Sequence, residues 1–337
     1  MKNFALIGCG AVSIVHAKAI ENMENGRLYG VFDARQESAE KFAAEHGCKA
    51  FATLEEMLAD ENVDIVNVCT PSGLHAKLAM QAVRAGKHVI VEKPMAITKE
   101  DLDALVQESD VKQVKVAVIT QLRFTPAVQK IKKALDEGKL GKILIADFRG
   151  KYYRAPEYYT SCPWRGTWAM DGGGALMNQG IHGVDLLQYL VGGVKSVRAV
   201  CRTVAREIET EDCAYVFLEY KNGAIGSIQG TTVASPGFPR EIEIHGTKGS
   251  IVLQEDTITL WDIEGEDEAQ ASKTTSNSAS EPMAIPYLYH KLQFEDLVDA
   301  IDTGRAPLVD AHEGRKPVDI ILGAYESSRT GKQVEIK

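Results

Sequence analysis

The feature that most constrains the fold is a run of short, almost wholly apolar segments set at regular intervals through the first third of the chain. FALIG, VDIVNV and HVIVE carry hydrophobic residues at nearly every position. A strand with one wet face alternates; strands like these are buried on both faces. Amphipathic stretches lie between them, so the natural architecture is a parallel sheet covered by helices and joined by right-handed crossovers. The pattern predicts strands at Phe4–Gly8, Arg27–Asp33, Asp64–Cys69, His88–Glu92 and Val114–Ile119. Helices are expected at Ala11–Met23, Arg35–His46, Leu74–Ala85 and Lys99–Ser109.

Past Gln121 the rhythm changes. A helical stretch (Pro126–Glu137), a strand (Ile143–Phe148), an aromatic-rich segment through Trp168 and a glycine-led helix (Gly172–Leu190) precede a series of β segments between Val194 and Trp261. Turn residues separate those segments, as in a mostly antiparallel sheet. The expected fold class is therefore α/β. Residues 1–121 form a doubly wound Rossmann domain. Residues 122–337 form a second α/β domain with a large, mostly antiparallel sheet, and the C-terminal helix packs back on the first domain. The acidic, Ser/Thr-rich stretch Glu264–Glu281 reads as a surface loop.

The 337 residues carry a formal net charge of −9, which offers no basic footprint for nucleic acid or an anionic membrane. No apolar run approaches a membrane span. The N-terminal segment reads as folded strand and helix rather than a signal peptide. Six scattered cysteines without paired spacing fit a reduced, cytoplasmic compartment. Eight histidines show no clustered spacing, so no metal site is expected.

Gly8-Cys9-Gly10-Ala11-Val12-Ser13 lies between a strand and a helix and matches the first two glycines of the dinucleotide fingerprint. Gly8 permits the tight turn, and Gly10 lets a pyrophosphate approach the N–H groups of Ala11 and Val12 at the helix start. Ser13 replaces the third glycine. Asp33 stands 20 residues beyond Ser13, where a carboxylate would accept from the adenosine ribose and repel a 2′-phosphate. That favours NAD over NADP, although Arg35 could accommodate such a phosphate. The bland alternative makes Asp33 an ordinary helix cap.

Lys93 follows the fifth strand and precedes Pro94, which holds it extended at the ligand-binding edge of the sheet. There an ammonium can stabilise an alkoxide, and an oxidised nicotinamide would lower its pKa. Asn178, His182 and Asp185 fall on one face of the glycine-led helix. A half-buried histidine suits proton transfer, or else it is simply tied to Asp185. Trp164 and Trp168 are candidates for stacking on a ligand's ring face, and Tyr152 and Tyr153 for donating hydroxyls. Arg123 and Arg165 are candidates for binding a substrate carboxylate or phosphate.

Together, ALIGCGAVS, VNVCTPSGLHAKLAMQAVRAGKHVIVEKPMA, QLRFTPAVQKIKKALDEGKLGKI and GGGALMNQGIHGVDLLQYLVG resemble the glucose–fructose oxidoreductase, inositol dehydrogenase and rhizopine-catabolism family (Gfo/Idh/MocA), as do the C-terminal FEDLVDAIDTGRAP and AYESSRTGKQVEI. The resemblance implies an NAD-dependent dehydrogenase of a sugar, polyol or nucleotide-linked sugar. It also implies homodimers or homotetramers formed through the open face of the second domain's sheet. Lys93 matches the lysine of the family's E-K-P motif, with Glu92 beside it. His182 matches the catalytic histidine, and Thr70, Pro71 and His75 match a segment near the cofactor. Where inositol dehydrogenase-like members have Asp, this chain has Asn178, which cannot take a proton but can orient a substrate. Two other activities fit the same resemblance: a glycoside hydrolase using transient oxidation, and a non-catalytic sensor.

Overall fold

The computed structural model describes residues 1–266 and 286–336. The chain divides into two compact units, Met1–Gln121 with Ile285–Arg315, and Leu122–Ala284 with Lys316–Lys337. The segment 285–315 thus belongs to the first unit rather than wholly to the second. Most of the stretch Glu264–Glu281, expected as a loop, lies outside the described residues.

The first unit holds six parallel strands. These are β1 (Lys2–Ile7), β2 (Gly26–Phe32), β3 (Lys49–Ala50), β4 (Ile65–Val68), β5 (His88–Val91) and β6 (Val116–Val118), in the order β3-β2-β1-β4-β5-β6. The order reverses between β1 and β4, which puts the topological switch point, and its ligand crevice, at their carboxyl ends. Every residue of β4 is buried, as its unbroken apolar run requires. Helices α1 (Ala11–Glu21), α2 (Gln36–His46), α3 (Leu54–Ala59), α4 (His75–Arg84) and α5 (Lys99–Lys112) make the crossovers. Threonine caps start two of them: Thr53 Oγ1 accepts from Glu56 N, and Thr98 Oγ1 from Asp101 N. The distant helix Tyr287–Thr303 completes this core, contributing Phe294, Leu297 and Val298 to the cluster around Phe4, Ala17 and Ile20.

The second unit is built on eight strands. They are β7 (Ile143–Lys151), β8 (Val194–Arg202), β9 (Cys213–Tyr220), β10 (Ile225–Thr231), β11 (Glu241–Gly246), β12 (Gly249–Gln254), β13 (Thr257–Ile263) and β14 (Val334–Glu335). Their order is β13-β12-β11-β7-β10-β9-β8-β14. All pairs are antiparallel except β7 with β10. Along β9 the side chains alternate: Ala214, Val216, Leu218 and Tyr220 are buried, whereas Tyr215, Phe217 and Glu219 are exposed. One face is therefore packed and the other open.

Three helices precede β8: α6 (Pro126–Asp136), α7 (Pro156–Thr160) and α8 (Ile181–Val191). Helix α8 lies on β7, with Gly183 so close to the Phe148 ring that a Cβ would meet it at 2.1 Å. Ahead of α8 the backbone forms a π-helical turn over Ala175–Gly180. The single α-helical face expected to carry Asn178 with His182 is thus interrupted: Asn178 sits in the wider turn and His182 in the α-helix.

Candidate active site

In the first unit the β1–α1 turn is shaped for a close ligand. Gly8 has φ +96°, and a Cβ there would meet the Cys69 carbonyl oxygen at 2.6 Å. Ser13 Oγ donates to the Gly8 carbonyl at 2.7 Å, closing the turn in place of a third glycine. Over Gly10 there is open space, with nothing within 4 Å of a built Cβ. Helix α1 starts with no side-chain cap and no acidic residue in its first turn, where Ala11 and Val12 lie. Its first N–H groups remain available to an anion. At the end of β4, Thr70 Oγ1 is buried with no hydrogen-bond partner among the described residues, next to Pro71. An uncapped helix, an open glycine and an orphaned hydroxyl fit a dinucleotide.

Asp33, at the end of β2, accepts from Cys9 N at 2.9 Å through one oxygen and from Arg35 N at 2.8 Å through the other. Helix α2 is preceded by Arg35 and has no side-chain cap, so Asp33 does not cap it. Arg35 projects into solvent, its Nε 3.8 Å from the Asp33 carboxylate.

Lys93 emerges half-buried at the carboxyl end of β5, as its place after an apolar strand dictates. Two residues of the family-like segments beside it, His75 and Glu92, have buried side chains. The ring nitrogens of His75 lie 2.7 Å from the carbonyl oxygens of Pro94 and Thr70. Burial lowers the His75 pKa, and the two carbonyls act in the opposite sense. Glu92 is turned inward onto His16, 3.0 Å away. Neither side chain offers an exposed surface, which leaves the main chain of these residues to face a cofactor.

In the second unit the glycine-led turn is clamped. Gly172 and Gly173 have positive φ, and a Cβ on Gly173 would meet the Tyr325 hydroxyl at 2.1 Å. The buried Glu211 carboxylate accepts from Gly174 N (3.0 Å), Leu176 N (2.8 Å) and the Tyr325 hydroxyl (2.9 Å). Burial drives its pKa up to about 7 despite these donors. From this anchored turn Asn178 Nδ2 donates to Asp171 Oδ1 at 2.5 Å, and Asn178 Oδ1 accepts from Gln179 at 3.1 Å. His182 follows, half-buried.

Arg123 is fully buried, donating from Nε (2.9 Å) and Nη2 (2.6 Å) to the two oxygens of Asp185 while lying over the Tyr189 ring. It is therefore a core ion pair, a correction to its expected role at a substrate. Tyr152 is also withdrawn: 7 % exposed, with burial pushing its phenol to about 12. Three guanidiniums instead gather around its neighbours Tyr153 and Tyr158. Arg154 donates to Gln179 (2.7 Å), Arg165 lies 4.0 Å over the Tyr158 ring, and Arg206 lies 5.5 Å over Tyr153. Trp164 is half-buried, and the exposed Trp168 meets Tyr325 edge-on at 5.2 Å. Arg154, Arg206 and Glu211 carried no motif signal, being scattered in ordinary loop sequence, and Tyr325, although inside the family-like C-terminal segment, was not singled out. All six cysteines are free, and no described helix is long and apolar enough to cross a membrane.

Comparison with known proteins accounts for nearly the whole chain. Residues 2–120 match the family model described as oxidoreductase family, NAD-binding Rossmann fold, and residues 132–336 match its C-terminal alpha/beta domain. The chain belongs to the Gfo/Idh/MocA oxidoreductase family. Among solved relatives, the WlbA dehydrogenase of Bordetella pertussis, in complex with NADH and UDP-GlcNAcA, is 32 % identical. The match covers 100 % of this chain and 98 % of that one, with a TM-score of 0.91. Myo-inositol 2-dehydrogenase of Thermotoga maritima is 25 % identical over 98 % of both chains. Levoglucosan dehydrogenase of Pseudarthrobacter phenanthrenivorans is 33 % identical over 64 % of this chain and 61 % of its own. This family member is an NAD-binding oxidoreductase of the sugar and inositol dehydrogenase type.

Proposed function

We propose that the chain oxidises a secondary hydroxyl of a sugar, inositol or sugar derivative, with Lys93 and His182 at the reacting hydroxyl. The observation that carries this reading is Lys93 itself, set half-buried at the carboxyl end of β5 in a sheet whose switch-point turn is open to a dinucleotide. NAD, when bound, supplies the hydride acceptor. The chain's own groups do the rest. His182 accepts the hydroxyl proton, Lys93 donates to the oxygen as negative charge develops on it, and Asn178 orients the substrate. The Asp33 carboxylate at the end of β2 supports NAD over NADP.

The arginines favour an acidic substrate over a neutral polyol. Arg154, Arg165 and Arg206 gather around Tyr153 and Tyr158 in the second unit, and planar guanidiniums suit carboxylate or phosphate oxygens. We infer that a nucleotide-linked sugar acid is the preferred class, consistent with the full-length likeness to a relative solved with UDP-GlcNAcA.

The test is an NAD⁺ reduction screen over inositols, hexoses, anhydrosugars, hexuronates and uridine-diphosphate aminosugar acids. Lys93→Ala runs beside the wild type. Losing an oxyanion-stabilising donor costs about 3–4 kcal/mol of barrier, and losing a positioned proton-transfer group costs roughly 10²–10⁴-fold. Lys93→Ala should therefore retain NAD binding by calorimetry and lose at least ~10²-fold in turnover. Near-normal turnover would remove Lys93 from the reaction. Glycoside cleavage without net NAD reduction would replace the dehydrogenase reading with the hydrolase.

A further inference from the structure

Behind Lys93 the first unit buries a carboxylate between two imidazoles. Glu92 is 6 % exposed, His16 0 % and His290 1 %. Glu92 Oε1 lies 3.0 Å from His16 Nε2, and Glu92 Oε2 accepts the main-chain N–H of Lys93 at 3.1 Å. His16 is fixed from its other side, where Nδ1 faces Asn67 Nδ2 at 3.0 Å and Cys69 Sγ at 3.3 Å. An amide or thiol donating to Nδ1 leaves the ring proton on Nε2, aimed at the carboxylate. One oxygen of Glu92 thus answers a donor from α1, and the other holds the backbone of the lysine that follows it.

A carboxyl in such a place would ordinarily be neutral, since burial penalises the charged form. Here that penalty is outweighed first by the hydrogen bond from His16 and then by nearby positive charge, the Lys93 ammonium included, and Glu92 is held down at about 2. The other titratable groups facing it are His16 from α1, His290 from helix Tyr287–Thr303, His75 from α4 and Cys69 at the end of β4. Burial lowers His75 and brings His290 to about 4, and it raises the Cys69 thiol. These three are uncharged near neutral pH. Electrostatic coupling is mutual: an ammonium that favours the Glu92 anion is favoured by it equally.

We propose that Glu92 is a positioning residue for Lys93: one oxygen fixes the lysine main chain, and its fixed negative charge keeps the side chain an ammonium. The proposal rests on the reading that Lys93 acts at the reacting hydroxyl, and it defines the lysine's state there. Lys93 donates throughout and does not serve as the base, which leaves proton acceptance to His182. The anion also opposes the repulsion that an oxidised nicotinamide exerts on the ammonium.

Trace acetylation of the intact protein with acetic anhydride, from about pH 6 to about pH 11, reads the lysine directly when the Lys93 peptide is followed by mass spectrometry. In the wild type the reactivity midpoint should lie above about 9, near the ordinary lysine range. In Glu92→Gln it should fall by about one unit, which is ~10-fold faster labelling at a fixed pH below the midpoint. Glu92→Asp, which keeps the charge, should restore most of the shift, and surface Lys99 should label alike in all three. An unchanged midpoint in folded Glu92→Gln overturns the proposal. Should that variant not fold, a wild-type midpoint below about 8 overturns it alone. Lys93→Ala turnover separates the two readings: full activity there removes the catalytic role of Lys93 whatever the labelling shows.

Discussion

At Asn178 the structure gives a physical reason for an amide where inositol dehydrogenase-like members have a carboxylate. Its Nδ2 donates to Asp171 Oδ1, and Asp171 is itself buried and held by Gly166 N at 2.9 Å. A carboxylate at 178 would face that anion at hydrogen-bond distance, and one of the two would have to keep its proton. Asn178→Asp should therefore lower stability by about 1–3 kcal/mol at neutral pH, with the loss shrinking as acid protonates the pair. Urea unfolding at about pH 7 and about pH 5 checks both the size and the sign. Equal destabilisation at the two pH values would show that the repulsion is not the cause. Other residue roles depended on partners far away in sequence. Nothing near Arg123 in the sequence reveals Asp185, 62 residues on, which takes its guanidinium into the core. Nor does an aromatic-rich segment say which ring faces inward, as Tyr152 does.

Among the elements, the turn into α8 depends on one carboxylate. Glu211 gathers the Gly174 and Leu176 N–H groups and the Tyr325 hydroxyl, and burial raises its pKa from 4.5 to about 7. A raised folded-state pKa means that the native protein binds a proton more tightly than the unfolded chain. The resulting stability is fully present below about pH 4.5 and is lost as pH rises through about 7, on the order of 3 kcal/mol in all. Glu211→Gln, a stand-in for the protonated form, should flatten that part of the stability profile. Denaturant melts between about pH 4.5 and about 7.5 measure it, and an unchanged slope would assign the titration to another group. The β-strands of the first unit were legible because continuous apolar runs admit few other readings, and the glycine-led helix because three glycines in a row are hard to place otherwise. The π turn was not legible: over six residues its pattern is too short to separate from an α-helical period. Strand β3, two residues long, has no periodicity to read.

On the scale of the whole molecule, the open sheet face is the feature without a partner in the described chain. Phe217 is 70 % exposed, Ile225 59 % and Tyr215 52 %, on neighbouring strands paired in register. A contiguous apolar face of this kind is what an interface presents, and the family resemblance implies a second copy of the chain as its occupant. We expect sedimentation to give a dimer or tetramer, and Phe217→Glu with Ile225→Glu to give a folded monomer. A wild-type monomer at micromolar concentration would sink the idea. The route of the chain through its two units has a different consequence, one for synthesis. Phe294, Leu297 and Val298 sit in the same core as Phe4 and Ile20. The first unit takes its last wall from residues that come after most of the second unit, so a ribosome that has made only residues 1–121 of this sequence has not supplied it. Until the helix Tyr287–Thr303 emerges, the nascent first unit exposes the surface that helix covers. The protein is therefore most vulnerable to chaperone capture and proteolysis while the second unit is being translated.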